Sequence, residues 1–122
     1  PGEMGTRPLM ADRQHRDWVR QLRAEVELMT SVCTGSLVYA AAGLLANRRA
    51  TTHWAAMDLL AATDPTIKTE PDARFVDDGD IITSAGVSAG IDMALHLVVR
   101  LAGAERAKQA RRAIQEDPLP PV

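Results

Sequence analysis

The chain has 122 residues, a length typical of one domain, and its 46% hydrophobic and 25% charged residues are those of a globular protein. A net charge of −2 and an aromatic content of 3% give no reason to expect nucleic acid or a membrane surface as a partner. The one cysteine excludes an internal disulfide. Because no apolar run approaches the ~20 residues of a membrane span, we expect a cytoplasmic protein.

The first predicted elements are a loop and a capped helix. Residues 1–9 are rich in glycine and proline, which is typical of a loop. Asp12 is placed to accept hydrogen bonds from the first turn of a helix that apolar spacing predicts over 13–23. The apolar face of that helix consists of Trp18, Val19 and Leu22.

A strand and a second helix are predicted on either side of the cysteine. A β-branched, apolar run predicts a strand over 26–32. A run of small and apolar residues then predicts a helix from Ser36 to about 46, with Asn47 as its C-cap. Cys33 therefore lies between the carboxyl end of a strand and the start of a helix.

The rest of the chain continues to alternate. Residues 49–53 are a strand candidate, and helical spacing resumes over 54–62, where we expect Trp54 to pack in the core. The remaining predicted elements are a hairpin with strands over 73–76 and 80–83, helices over 88–101 and 104–114, and an extended tail over 117–122. Strands alternating with helices favour an α/β fold with a mainly parallel sheet.

The corner at Cys33 is the main chemical signal. Backbone amides and the positive end of a helix dipole favour a thiolate in such a position. Hydrolases hold their nucleophile on a similar strand-to-helix turn. Gly35 permits a close approach of other segments, and Thr34 or Ser36 can cap the helix. A buried structural cysteine is the alternative, since free cysteines are among the most buried residues.

Residues at the carboxyl ends of the predicted strands define a candidate pocket. Ligands of parallel α/β sheets bind at that edge, so we expect Cys33, His53 and the turn at Gly86 to converge there. A packed histidine at a strand end is the alternative for His53. The spacing of cysteine and histidine matches no zinc site, and the glycines form no dinucleotide fingerprint, so neither a metal nor a cofactor is expected.

Four separated motifs resemble those of the ThiJ/PfpI family, in the class I glutamine amidotransferase-like superfamily. They cover residues 1–7, 31–36, 49–54 and 82–92 and read PGEMGTR, SVCTGS, RATTHW and ITSAGVSAGID. The resemblance implies a flavodoxin-like, three-layer α/β sandwich with a mainly parallel sheet. Glu3 stands where the family usually has a second glycine.

The resemblance also implies roles for residues at matching positions. Cys33 would be the catalytic nucleophile, and Thr34 would supply a hydroxyl and a backbone amide beside it. The implied oxyanion and pocket residues are Gly2, Gly35, His53, Ser84 and Gly86. Among these, Gly2 would donate its backbone amide to a developing negative charge.

The motifs around Cys33 and His53 look most like those of isonitrile hydratases, and equally like the amino-terminal sensing domain of AraC-type regulators. The first likeness implies a lyase with a small-molecule substrate and no cofactor. In it the thiolate attacks an isocyanide carbon, and water addition releases an N-substituted formamide. The second implies ligand sensing without catalysis. A redox-responsive cysteine is a third interpretation, because an exposed, acidic thiol oxidises readily.

The resemblance finally implies that residues 1–122 are the carboxy-terminal portion of a single family domain, incomplete at its amino terminus. The motif at 1–7 normally follows an opening strand and helix, and the family's acidic partner of the cysteine comes from that earlier part. A domain without those strands exposes a sheet edge and apolar faces. We therefore expect a homodimer, or a complementing amino-terminal segment, to cover them.

Overall fold

The computed structural model describes residues 1–116 as a mixed α/β fold. The helices are α1 (Thr6–Ala11), α2 (Arg13–Glu25), α3 (Gly35–Ala41), α4 (Met57–Thr63), α5 (Ala89–Ala102) and α6 (Ala104–Ala113). The strands are β1 (Met29–Ser31), β2 (Arg49–Ala50), β3 (Lys68–Thr69), β4 (Phe75–Asp77) and β5 (Ile81–Ser84), and a 3-10 turn covers Trp54–Ala56. None of these helices has the length and apolar character needed to cross a bilayer. The predicted tail over 117–122 lies outside the described residues.

Parallel pairing dominates the strands, as their alternation with helices predicts. β1 pairs in parallel with β5, which aligns Met29 with Ile81 and Ser31 with Thr83, and β2 pairs in parallel with β3. β4 and β5 form the predicted antiparallel hairpin. The three-stranded sheet has the order β1-β5-β4, so β1 lies at its edge.

Two predicted element boundaries are wrong, for local reasons. Residues 1–9 are not all loop, because α1 begins at Thr6 and Pro8 lies in its first turn, where no backbone N–H is needed. α3 ends at Ala41 instead of near 46, so Asn47 is not its C-cap. Gly43, at φ +81°, takes the chain out of the helix in the left-handed conformation typical of that position.

The predicted strands over 26–32 and 49–53 are correct in place and too long. β1 has three residues, all paired with β5, and β2 has two, both paired with β3. β3 is absent from the sequence prediction, since a strand of two residues has no periodicity to detect. Asp12 caps α2 as predicted, with its carboxylate accepting from the N–H groups of Gln14 and His15.

The apolar core forms where α2, α3 and α4 meet the strands. Its largest fully buried apolar side chains are Leu37, Leu45, Leu60 and Ile81. On the predicted face of α2, Val19 is buried and Leu22 packs against the core, but Trp18 is more than half exposed. The prediction that Trp54 packs in the core is wrong, because it opens a 3-10 turn at the surface and is 78% exposed.

An apolar groove runs along the edge strand β1. It encloses about 470 Å³, and its walls include Leu9, Trp18, Leu22 and Val38. Ser31 also lines this groove, and its buried hydroxyl has no hydrogen-bond partner among residues 1–116. The expectation that a second copy or a complementing segment covers such faces stays a prediction.

Two arginines hold the carboxylate of Asp80 at the amino end of β5. Arg48 donates to it at 2.6 Å, and Arg23 of α2 pairs with its other oxygen. The hydrogen bond from Arg48 and the charges of both arginines hold the pKa of Asp80 below its ordinary value. This cluster ties α2 and the segment before β2 to the hairpin.

We expect Asp80→Asn to lower the free energy of unfolding at neutral pH by roughly 0.5–1 kcal/mol, a small effect because Asp80 is 41% exposed and solvent screens its partners. Because folding lowers this pKa, the stabilisation is complete above the ordinary value of 3.8 and is lost as the pH falls through the folded value.

Urea unfolding at neutral pH and in strong acid measures this difference. Asp72→Asn, which changes an exposed aspartate outside the cluster, is the control. An equal loss of stability for Asp80→Asn at both pH values would contradict the assignment.

Candidate active site

Cys33 lies directly between β1 and α3, in a strained backbone conformation. Its φ of +56° belongs to a region that non-glycine residues rarely adopt. Its N–H group lies 3.1 Å from the carbonyl of Ser84 and 3.2 Å from that of Ala85. Its carbonyl accepts from the hydroxyl of Thr52 at 3.0 Å and from that of Ser36 at 3.4 Å. The end of β5 and the segment after β2 thus fix the backbone of the cysteine.

The hydroxyls expected to cap α3 have other partners. Thr34 occupies the N-cap position, but its side chain makes no capping bond. Its hydroxyl instead lies 3.2 Å from that of Thr6, and both approach the carbonyl of Glu3, at 3.4 and 2.8 Å. The prediction of a side-chain cap is therefore wrong, and Thr34 ties the amino-terminal segment to the cysteine corner.

A cavity of about 270 Å³ opens over Cys33. Its walls include Glu3, Met4, Cys33, Thr34, His53 and Val87. They come from four parts of the chain: the segment before α1, the cysteine corner, the turn after β2 and the loop between β5 and α5. Cys33 and His53 therefore converge as the sequence predicts. Within residues 1–116, no three His, Cys, Asp or Glu side chains form a group able to hold a metal ion.

Two glycines stand directly behind the cysteine and the histidine. A Cβ atom on Gly2 would lie 2.6 Å from Cβ and 3.0 Å from Sγ of Cys33. A Cβ atom on Gly86 would lie 2.4 Å from Cδ2 of His53. The carbon–carbon separations of 2.6 and 2.4 Å are shorter than non-bonded carbon atoms tolerate, so only glycine permits these approaches. Gly2 and Gly86 support the cavity from behind its wall.

His53 is both a structural and a cavity residue. Its Nδ1 accepts from the N–H group of Ala55 at 3.1 Å and caps the 3-10 turn. In the neutral ring that hydrogen bond assigns the proton to Nε2, which can donate it. The packed and the pocket-lining interpretations of His53 are thus compatible.

Ser84 and Gly35 are near the cysteine but outside the cavity wall. Ser84 is fully buried; its hydroxyl donates to the carbonyl of Ser31 at 3.2 Å, and its carbonyl holds the N–H group of Cys33. The N–H group of Gly35 donates to the carbonyl of Val32 at 3.0 Å, and its Cα faces Pro1. Ser84 therefore positions the cysteine, and the amide of Gly35 is engaged in the turn.

Sequence reasoning assigned no role to four residues that build the site. Thr6 and Thr52 fix the segments around Cys33, and Met4 and Val87 line the cavity. All four lie inside the quoted motifs, so the motifs themselves were the available signal. Their contacts depend on segments that are distant in the sequence, which explains why no local pattern revealed them.

Backbone strain concentrates at this cavity. Five non-glycine residues among those described have positive φ, and three of them line it: Glu3 at 95°, Cys33 at 56° and Val87 at 39°. Such conformations cost about 1–3 kcal/mol each and cluster at functional sites. Cys33 and Val87 line this cavity alone, whereas Glu3 also lines the larger groove along β1.

The fold and the site define a class: α/β proteins with a cysteine at a strand-to-helix corner and a histidine in the turn that follows another strand. The chain belongs to the DJ-1/PfpI family, whose sequence profile matches residues 1–100. The resemblance to ThiJ/PfpI proteins and the flavodoxin-like α/β fold that it implied are thereby confirmed.

Individual relatives include both enzymes and regulators. The chain is 47% identical to isonitrile hydratase of Pseudomonas putida over 122 residues, which cover 99% of this chain and 52% of that protein. It is 40% identical to the HTH-type transcriptional regulator CdhR of Pseudomonas aeruginosa over 92 residues, 75% of this chain and 27% of that protein. The crystal structure of a ThiJ/PfpI family protein from Pseudomonas syringae superposes with a TM-score of 0.86 at 38% identity, covering 99% of this chain and 49% of that chain. The chain thus spans about half the length of isonitrile hydratase and of the Pseudomonas syringae protein, and about a quarter of the length of CdhR.

We expect Glu3→Gly to raise the free energy of unfolding by about 0.5–1 kcal/mol, because glycine adopts positive φ without strain. Urea unfolding measures the change. Asn47→Gly is the matched control, since asparagine already tolerates its φ of 60°. A loss of stability in Glu3→Gly would show that residue 3 is not strained.

We expect Gly86→Ala to displace the ring of His53 and to lower the free energy of unfolding by about 1–3 kcal/mol, because the added methyl group overlaps Cδ2. Among the ring signals of the three histidines in an NMR spectrum, only those of His53 should shift. Gly5→Ala, whose Cβ would meet no atom within 4 Å, is the control. Unchanged His53 signals in Gly86→Ala would contradict the packing described here.

Proposed function

We propose that this chain carries the nucleophile of a cysteine-dependent enzyme that hydrates small isocyanides to N-substituted formamides. The observation that carries the proposal is Cys33, held in a strained conformation at the carboxyl end of β1, with its side chain in a cavity of about 270 Å³. The 47% identity to isonitrile hydratase over 99% of the chain supports the choice of reaction. A nucleophile on a strained strand-to-helix turn is the arrangement that α/β-hydrolases use for covalent catalysis.

The reaction proceeds in two additions. The thiolate of Cys33 bonds to the terminal carbon of R–N≡C, and that carbon takes up a proton, which gives the thioimidate R–N=CH–S–Cys33. The oxygen of a water molecule then bonds to the same carbon while the nitrogen receives a proton. The C–S bond then breaks as the hydroxyl group loses its proton, which releases R–NH–CHO, restores the thiolate and returns the proton taken up in the first addition. One water is consumed, and neither an oxidant nor a reductant is needed.

The residues around Cys33 supply the remaining functions. His53 lines the cavity and has a proton on Nε2 in its neutral form, so it is the group in position to transfer protons. The backbone of Gly2 lies against the sulfur and is the proposed donor to developing negative charge. Thr34 contributes through its backbone amide, because its hydroxyl approaches the carbonyl of Glu3.

A ligand-sensing domain without catalysis is the second candidate. The 40% identity to an HTH-type regulator over 75% of the chain favours it. In that case the same cavity binds a small molecule, and the sulfur forms no covalent bond with it. The two candidates therefore differ in whether Cys33 reacts.

We expect Cys33→Ala to reduce formamide production from a small isocyanide to the uncatalysed rate, because no other thiol can replace the nucleophile in a chain with one cysteine. Formamide appearing over time, followed by proton NMR, is the measurement, and circular dichroism verifies folding. Asp72→Asn, outside the cavity, serves as the matched control and should retain turnover.

The outcomes separate the two candidates. Equal turnover by Cys33→Ala and the native chain would eliminate the enzyme. Saturable binding of the isocyanide without turnover, and with the same affinity in Cys33→Ala, would establish the sensing domain instead.

A further inference from the structure

Two large apolar side chains at the cavity over Cys33 are almost completely exposed. Met4 is 85% exposed and Val87 is 82% exposed, and both line the cavity. Met4 precedes α1, whereas Val87 lies in the loop between β5 and α5, so two distant segments contribute these side chains to one cavity. Neither residue gains stability from burial in the core. Their shared position at one cavity distinguishes them from apolar residues scattered singly over a surface.

Val87 is held at this position against its conformational preference. Its φ of 39° is a genuine outlier for a β-branched residue, whereas the positive φ of Asn47 is ordinary for asparagine. The loop is fixed on both sides, by Gly86 against His53 and by the N–H group of Gly90, which donates to the carbonyl of Val87 at 3.1 Å. The strain destabilises the folded chain, and the exposed side chain offers no burial to offset it. Strain of this kind is typical of sites that are already arranged for a ligand.

The cavity wall has no single sign of charge, but part of it is apolar. Glu3 and Arg7 line the same cavity with opposite formal charges, so neither sign dominates. Ala55 and Ala56 make the neighbouring wall small and apolar. An uncharged, apolar group fits this wall best.

We propose that Met4 and Val87 form an apolar collar that selects ligands whose substituent beside the reacting carbon is uncharged and apolar. The inference rests on the proposed function: in an isocyanide R–N≡C, the group R lies between Met4 and Val87 while the terminal carbon meets Sγ of Cys33. When R lies between Met4 and Val87, apolar surface of both ligand and protein is removed from water, so the two side chains become buried.

The single cysteine makes the collar measurable without turnover. N-butylmaleimide and maleimidobutyrate carry the same electrophile, and they differ in whether the attached chain ends in a methyl group or a carboxylate. The alkylation rate of Cys33 with each, divided by the rate of free cysteine with the same reagent, gives a selectivity ratio. We expect the native chain to prefer the butyl reagent by about tenfold, the effect of burying a few methylene groups in part.

Two near-isosteric variants remove the apolar character and little else. Val87→Thr keeps the β-branched shape, and Met4→Gln keeps the length of the side chain. Each should lower the preference to about threefold or less. Leu101→Gln, which changes an exposed apolar residue in the last turn of α5, should leave the ratio unchanged. Circular dichroism of each variant confirms that it is folded.

The results separate the collar from the proposed reaction. A ratio near one in the native chain, or a ratio that both variants leave unchanged, overturns the collar. A strong butyl preference that the variants abolish, in a chain that does not hydrate isocyanides, supports the collar and removes the proposed reaction.

Discussion

The parallel pairing of β1 with β5 is the constraint on which the site depends. It places the carbonyls of Ser84 and Ala85 within reach of the N–H group of Cys33, which lies two residues beyond Ser31, the last paired residue of β1. The same register buries the hydroxyl of Ser84 against the carbonyl of Ser31. Because backbone polar groups in a buried position must be paired, this arrangement leaves the cysteine little choice of conformation. The strained φ of Cys33 follows from the sheet more than from the cysteine itself.

The cavity combines strain with unusually close contacts between backbone and side chain. Glu3, Cys33 and Val87 adopt positive φ, and Gly2 and Gly86 allow the backbone to touch the cysteine and the histidine. The hydrogen bonds and the core around Leu37 and Ile81 must offset the cost of these conformations. Backbone strain does not stabilise the fold, so a purely structural role gives no reason for it. Preorganisation of a site does, because groups already in position need not be rearranged when a ligand binds.

The relatives of this chain include an enzyme and a transcriptional regulator. Isonitrile hydratase and an HTH-type regulator share this portion of the fold with the chain. A cavity that recognises a small molecule needs walls of suitable polarity, which Met4, Ala55 and Val87 supply in either case. Catalysis needs in addition that Cys33 react and that a proton reach the substrate. The sequence profile therefore establishes the family, and the two proposed functions differ in whether Cys33 reacts.

The sequence by itself determined the order of the elements, the cap at Asp12, the hairpin of β4 and β5, and the meeting of Cys33 with His53. The order, the cap and the hairpin follow from local chemistry. The meeting of Cys33 with His53 was expected from a shared sheet edge, but β1 and β2 belong to separate sheets, and the turn after β2 brings His53 to the cavity. Four motifs in the sequence also indicated the family. Only the tertiary structure decided that β1 and β2 are short, that Trp54 is exposed, that Thr34 binds the amino-terminal segment and that Val87 faces the cavity. Each of these depends on partners far away in the chain, and the pattern of neighbouring residues carries no information about which distant segment will supply them.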